Sequence, residues 1–136
     1  MENKLGGSLD TNTLLRLILG DIPEQVIIIE KLLDQPGARF EIADAVVFEI
    51  VFVMEKTYLL NRKQIAQNVF TIIRHPKINC NRKLFELTLP LYIEHSKLCI
   101  VDCALTQYAQ INNASPLYTF DKELAKKCSD FVTLLK

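Results

Sequence analysis

The sequence predicts an α/β fold in which a mostly parallel sheet of four to five strands is layered with helices. Short segments of strand type alternate with longer segments of helical pattern. Strands that are separated by helices and lie side by side run parallel, and such sheets carry helices on their faces. The chain has 136 residues, enough for one hydrophobic core, so we expect a single domain over residues 1–136.

Composition excludes several classes of protein. Sixteen basic residues balance sixteen acidic ones, so the chain is not a general polyanion binder, and contact with nucleic acid must depend on local patches or a metal ion. No apolar run is long enough to cross a bilayer, and Met1–Gly7 lacks the apolar centre of a secretory signal. We therefore expect a cytoplasmic protein that makes no membrane contact.

The four cysteines are expected to be buried and reduced. A zinc site formed by Cys80, His95, Cys99 and Cys103 is disfavoured, because no Cys-x-x-Cys pair occurs. Cys99 and Cys103 lie one helical turn apart in an otherwise apolar segment, which is typical of core packing.

The amino-terminal third begins with a short apolar lead into Asp10, followed by a first helix over Leu14–Leu19 that stops near Gly20. Asp21–Glu24 opens a second helix with a proline near its first position. Residues Val26–Leu33 of that helix are apolar on more than one face. Either the helix is buried on two sides, or part of it is a partner surface.

The middle of the chain holds the most apolar helix. Arg39–Ile42 is a short second strand, and a helix follows from Ala43 to about Leu60. Its β-branched content is typical of a strand, but its length and its charged ending favour a helix. Asn61–Gln64 is a capping box that opens the next helix, and Lys77–Cys80 is a third strand.

The remaining elements complete the sheet. Asn81 caps a helix that Pro90 should kink or interrupt, and Leu98–Leu105 leads into a helix ending near Asn112-Asn113. The last two strands are Ser115–Asp121 and Phe131–Leu135, separated by a helix over Lys122–Lys127. The predicted order is β-α-α-β-α-α-β-α-β-α-β.

Four acids stand out against this background. Asp10 and Asp121 are expected just past strand ends on the same edge of a parallel sheet, and Glu49 and Asp102 interrupt apolar helical stretches. Each has an ordinary explanation, since aspartate caps helices and a lone glutamate can reach water. One shared cation would explain all four at once. Oxygen-only ligands point to Mg²⁺ or Mn²⁺, the ions used in phosphoester chemistry.

Four motifs containing these acids carry a family resemblance: Asp10-Thr11-Asn12, Glu49 in Val47–Ile50, Asp102 in Val101–Leu105, and Thr119-Phe120-Asp121. In order and spacing they resemble the PIN domain family, and most closely its VapC-like toxins, from about Leu9 to Leu135. The resemblance implies a three-layer α/β/α sandwich and a metal-dependent endoribonuclease. It also implies the toxin component of a toxin–antitoxin pair, a homodimer that a cognate antitoxin protein blocks.

Residue roles follow from the same resemblance. Asp10, Glu49, Asp102 and Asp121 would be both catalytic residues and ligands of Mg²⁺ or Mn²⁺, supported by Thr11, Asn12 and Thr119. A metal-activated water would hydrolyse the RNA phosphodiester bond, leaving a 5′-phosphate and a 3′-hydroxyl. RNA contacts would fall to local basic residues, for which we favour Arg16, Lys122, Lys126 and Lys127.

The chain departs from the family pattern in two places. Many relatives have a further acid about one turn before the third acid, where this chain has Cys99, and its absence would weaken the binding of a second metal ion. Gly6 and Gly7 stand where relatives have an apolar strand, so either the first strand is only Ser8–Asp10 or the leading residues are not those of the natural protein.

Two other functions are compatible with the same fold. The chain could be a non-enzymatic interaction module, with Cys99 marking an eroded metal site and the Ile27–Leu33 surface contacting a partner. It could also be a phospho-acceptor domain, which needs an aspartate at the end of the third strand. That segment offers only Asn79 and Asn81, so this alternative ranks last.

Overall fold

The computed structural model describes residues 6–136, and most of the Met1–Gly7 segment discussed above lies outside this range. The described residues form an α/β fold with five strands and seven helices. The chain divides into two compact units, residues 1–82 and 83–136. No helix among residues 6–136 has both the length and the apolar character needed to cross a membrane.

The first unit is built on a parallel three-stranded sheet in the order β1 (Gly6–Ser8), β2 (Arg39–Glu41), β3 (Ile78–Asn79). Gly7 lies opposite Phe40, and Phe40 lies opposite Ile78. Its elements are β1 (Gly6–Ser8), α1 (Thr11–Leu19), α2 (Pro23–Leu33), β2 (Arg39–Glu41), α3 (Asp44–Lys56), α4 (Arg62–Ile73) and β3 (Ile78–Asn79).

Helix α1 is at the centre of the packing in this unit, because it contacts α2, α3 and α4. The core of this unit is formed by buried apolar side chains from these helices and from β2 and β3, among them Leu14, Phe40, Ile50, Met54, Ile65, Ile73 and Ile78. The packing fixes the amino-terminal end of α1, and therefore the position of Asp10.

Strand β1 differs from the prediction. It spans Gly6–Ser8 rather than Ser8–Asp10, and Leu9 continues the pairing by donating its N–H to the Glu41 carbonyl at 3.0 Å. A Cβ at Gly6 would lie 2.5 Å from the carbonyl oxygen of Arg39. The glycine that made the segment a poor strand candidate is therefore what lets β1 approach β2 closely.

Other predictions for the first unit are confirmed with shifted ends. The first helix begins at Thr11, three residues before Leu14, because Asp10 caps it directly. The apolar segment after Ala43 is a helix, but it ends at Lys56, four residues before Leu60. The capping box is present, with Asn61 and Gln64 each bonding the other's backbone N–H.

The second unit contains a parallel pair of strands, β4 and β5, with Tyr118 opposite Thr133. Helix α7 contacts both strands, and α6 contacts β4. The elements of this unit are α5 (Arg82–Glu94), α6 (Ile100–Ile111), β4 (Leu117–Thr119), α7 (Lys122–Lys127) and β5 (Val132–Leu134). Helix α5 begins at Arg82, one residue before the boundary between the two units.

The helices of this half of the chain follow the segments predicted for them, but the sheet does not. Pro90 lies inside α5, which continues past it, so the predicted interruption is absent. Both helices predicted between the third strand and Ser115 are present, as α5 and α6, although the predicted element order counted only one. The strands form one sheet of three and one of two within the described residues, rather than the single sheet of four to five that was predicted.

The cysteines are free, as expected, but not all are buried. Cys103 and Cys128 are buried, Cys80 is half-buried and Cys99 is exposed. Burial of Cys99 was predicted from its apolar neighbours. The prediction failed because Cys99 precedes α6 as its N-cap, outside the helical register that buries Ile100 and Cys103.

Candidate functional site

Asp10 lies directly beyond β1 and is the N-cap of α1. Its Oδ1 accepts a hydrogen bond from the Thr13 backbone N–H at 2.9 Å. This bond to the backbone of Thr13, supported by a side-chain bond from the same residue, lowers the pKa of the exposed Asp10 carboxyl below its ordinary value. The carboxylate is therefore held ionised at the end of a strand.

The residues after Asp10 differ in accessibility. Thr11 is buried in the first turn of α1, and Asn12 is exposed. One turn further on, Arg16 donates from Nη1 to Asp21 at 2.9 Å and from Nη2 to the Tyr58 hydroxyl at 3.1 Å. The Arg16 guanidinium thus has two partners within its own unit.

A cleft of about 530 Å³ opens beside Asp10, between α1 and α2. Helix α1 and its cap contribute Asp10, Asn12, Thr13 and Arg16 to its lining, while α2 contributes Gln25, Ile28 and Ile29. Ile28 is 66% exposed and Ile29 is buried. The apolar excess of α2 therefore lies partly in the core and partly on the surface, and a partner surface on α2 stays a prediction.

Sequence reasoning did not single out Gln25 or Ile28. Neither belongs to a motif, and only the surplus of apolar residues on α2 hinted at an accessible surface. Their relation to Asp10 depends on how α2 packs against α1, which the spacing of residues along the chain does not reveal.

Glu49 projects from α3, the helix that packs against α1 in the first unit. The sequence suggested a carboxylate in a helix that is otherwise buried, but Glu49 is exposed. The neighbouring Ile50 is buried, so the helix has one core face and one accessible face. Exposure to water already explains a charge at this position.

Asp121 repeats the arrangement of Asp10 in the second unit. It follows β4 and caps α7, with its Oδ1 accepting from the Leu124 backbone N–H at 3.0 Å. The Thr119 hydroxyl oxygen accepts the Asp121 backbone N–H at 3.0 Å. Thr119 therefore fixes the backbone that carries the carboxylate. The capping function considered for Asp121 from the sequence is confirmed.

Asp102 lies half-buried in the first turn of α6, where the positive end of the helix dipole favours a negative charge. Its backbone N–H donates to the Sγ of Cys99, the N-cap, at 3.5 Å. The Cys99 side chain is exposed, but neighbouring protein removes enough water from its sulfur to raise the pKa of the thiol. The thiol therefore stays protonated at neutral pH and supplies no negative charge.

Basic side chains follow Asp121 closely. Lys122 begins α7, and Lys126 and Lys127 lie in its last turn. All three are exposed. They are the cations that the second unit presents on the helix capped by Asp121.

The four acids fall into two pairs, Asp10 and Glu49 in the first unit, Asp102 and Asp121 in the second. Among residues 6–136, no three His, Cys, Asp or Glu side chains are grouped closely enough to hold a metal ion. The metal-binding quartet therefore stays a prediction. Its donor chemistry suits Mg²⁺ or Mn²⁺, because every member is a carboxylate.

Comparison with known proteins identifies a family. No curated protein is significantly similar to the chain. The profile of the PIN domain family matches residues 8–129, a range that includes Asp10, Glu49, Asp102 and Asp121. PIN domains are generally metal-dependent nucleases. Since this match covers most of the 136 residues, the chain belongs to the PIN domain family.

Proposed function

We propose that the protein is a metal-dependent endoribonuclease and the toxin component of a toxin–antitoxin pair. The observation that carries this proposal is the matching arrangement of Asp10 and Asp121. Each follows a strand in a parallel sheet, each caps the next helix, and both lie in a chain of a nuclease family. The proposal includes a single domain folded as a three-layer α/β/α sandwich.

Asp10, Glu49, Asp102 and Asp121 would hold Mg²⁺ or Mn²⁺. A bound ion would act as a Lewis acid, neutralising charge on the scissile phosphate and lowering the pKa of the attacking water. A helix cap uses one carboxylate oxygen of Asp10 and of Asp121, and a carboxylate has a second oxygen that can serve as a ligand. Thr119 would position Asp121, and Thr11 and Asn12 would support Asp10.

RNA would be held by the exposed lysines that follow Asp121, namely Lys122, Lys126 and Lys127. Their position suits a phosphate backbone, while the neutral net charge of the chain argues against indiscriminate binding. Arg16 is a weaker candidate for phosphate contact than its sequence position suggested, because its guanidinium already forms an ion pair with Asp21.

The toxin assignment rests on the family resemblance of the four motifs. It implies a cytoplasmic homodimer, an RNA substrate and a small antitoxin protein that blocks the site. Expression of the protein alone should arrest growth of a bacterial host. An Asp10→Asn protein made at the same level should not.

Cleavage of a fluorogenic RNA in the presence and absence of Mg²⁺ or Mn²⁺ tests the activity. We expect metal-dependent cleavage that falls by at least about a hundredfold in Asp10→Asn and Glu49→Gln proteins. Both substitutions preserve shape, and Asn caps helices as well as Asp does, so folding should be unchanged. Normal cleavage by either folded variant would refute the role assigned to that residue.

One observation favours a different function. Cys99 stands where many relatives carry an acid, and its protonated thiol is a poor ligand for Mg²⁺. An interaction module with an eroded metal site is therefore the second candidate. Calorimetry with Mn²⁺ separates the two, because a module without a site would give no binding heat.

A further inference from the structure

The cleft between α1 and α2 begins at Asp10, the carboxylate proposed to bind the metal ion. Its volume of about 530 Å³ lies within the range of small-molecule sites and is large enough for a nucleoside. A group bound there would be a neighbour of the reacting phosphate.

The polar lining of the cleft suits neutral hydrogen-bonding groups better than a phosphate. Asn12 and Gln25 each offer an amide that both donates and accepts, the pattern that matches the edge of a nucleobase. Arg16 is the single cation of the lining, and its Nη1 already pairs with Asp21 at 2.9 Å. A site for phosphate would need an uncompensated positive charge.

The apolar part of the lining suits the face of a base. Ile28 is 66% exposed although it is β-branched and aliphatic, and Ile29 behind it is buried. Proteins that hold an unpaired base commonly place an apolar side chain against its face and polar groups at its edge. On α2, Ile28 provides the apolar side chain for the face of a base and Gln25 provides a polar group for its edge.

We propose that this cleft binds the base of the nucleotide next to the scissile phosphate, with Ile28 against its face and Asn12 and Gln25 at its edge. The inference rests on the proposed function, because it identifies the ligand as single-stranded RNA. It makes Gln25 and Ile28 determinants of sequence preference, with no part in the chemical step.

Nuclear magnetic resonance titration with AMP, CMP, GMP and UMP in EDTA tests the inference without requiring cleavage. We expect shifts in the side-chain amide of Gln25 and the methyl groups of Ile28, with one base preferred. Ile28→Ala should weaken binding about tenfold, the loss expected for one base contact. Gln25→Ala should reduce the preference among the four nucleotides.

Ile27→Ala is the matched control, because Ile27 is the adjacent residue of α2, is 52% exposed and does not line the cleft. It should leave nucleotide binding unchanged. Equal losses in the Ile27 and Ile28 variants would overturn the inference, as would shifts produced equally well by inorganic phosphate. No shift with any nucleotide would overturn it too.

These outcomes are separable from the proposed function. Nucleotide binding in the cleft of a protein that does not cleave RNA would support the base-binding role of Ile28 and Gln25 and refute the ribonuclease. Metal-dependent RNA cleavage by a protein whose Gln25 and Ile28 signals do not shift with any nucleotide would support the ribonuclease and overturn the inference. If the protein cleaves RNA, Ile28→Ala should raise KM about tenfold at unchanged kcat.

Discussion

Asp10 Oδ1 lies 2.9 Å from the Thr13 backbone nitrogen and accepts its hydrogen bond, so the first acid of the family motif is also the cap of α1. Asp121 and Leu124 repeat this relationship at 3.0 Å in the second unit. Capping was the simpler explanation for both aspartates. The geometry shows capping directly and is compatible with a second role for each carboxylate.

Asp10→Asn and Asp10→Ala should separate the two roles. Asn retains an acceptor oxygen for the Thr13 N–H but carries no charge, so the thermal midpoint of Asp10→Asn should fall only slightly below that of the wild type. Asp10→Ala removes the cap and should lower the midpoint measured by circular dichroism. Both should lose RNA cleavage. Equal destabilisation by the two substitutions would show that the charge, rather than the cap, stabilises α1.

The pH dependence of the α1 cap follows from the lowered pKa of Asp10. A carboxyl whose folded pKa is depressed contributes stability that is present above its unfolded value, near 3.8, and is lost as pH falls through the folded value. We therefore expect the Asp10 carboxyl carbon to titrate below pH 3.8 in a nuclear magnetic resonance experiment. Titration at or above that value would contradict the cap geometry.

Gly6→Ala should destabilise the fold, because a Cβ there would lie 2.5 Å from the Arg39 carbonyl oxygen. Relieving this contact requires β1 to move away from β2, at a cost of about 1–3 kcal/mol in the free energy of unfolding. Urea denaturation measures it. Gly7→Ala is the control, since a Cβ at Gly7 meets nothing within 4 Å. It should be neutral or stabilising by about 0.5 kcal/mol.

Cys99→Ser should stabilise the protein, because serine is a stronger N-cap acceptor than a thiol and Cys99 is exposed. The gain expected is about 0.5–1 kcal/mol in the free energy of unfolding. Cys103→Ser, a change of the same chemistry at a buried position, should cost about 1–3 kcal/mol. If both substitutions destabilise the protein alike, Cys99 does not act as a cap.

Cys99→Asp tests the departure from the family pattern. It keeps an N-cap acceptor and restores the acid that many relatives carry, one turn before Asp102. If the Cys99 thiol lowers the affinity for a second metal ion, the Cys99→Asp protein should bind Mn²⁺ more tightly than the wild type does, as measured by calorimetry. Cys99→Ser is the control that changes the cap without adding a charge, and it should leave Mn²⁺ affinity unchanged.

Local signals predicted much of the fold. The helical character of α3 followed from its length and charged ending despite its β-branched residues, and the Asn61–Gln64 box followed from the residues that satisfy free backbone N–H groups. Both depend on neighbours within a few positions along the chain. The caps at Asp10 and Asp121 are of the same kind.

Features that depend on distant residues were missed or left open. Gly6 reads as a weak strand former until Arg39 is placed beside it, and the sequence left open whether Ile28 is buried or exposed. Cys99 was misjudged because its apolar neighbours suggested burial, whereas it caps α6 and is exposed. Glu49 was expected to reach water, a cation or a metal ion, and it is exposed.

The hydrogen bonds that hold Asp10 and Asp121 have an entropic consequence for any ligand of these carboxylates. A side chain tied to its own helix has already lost its rotational freedom when the chain folds. Association with a cation would then require little additional ordering, and its affinity would be higher than mobile carboxylates would give. Folding itself thus orders both carboxylates.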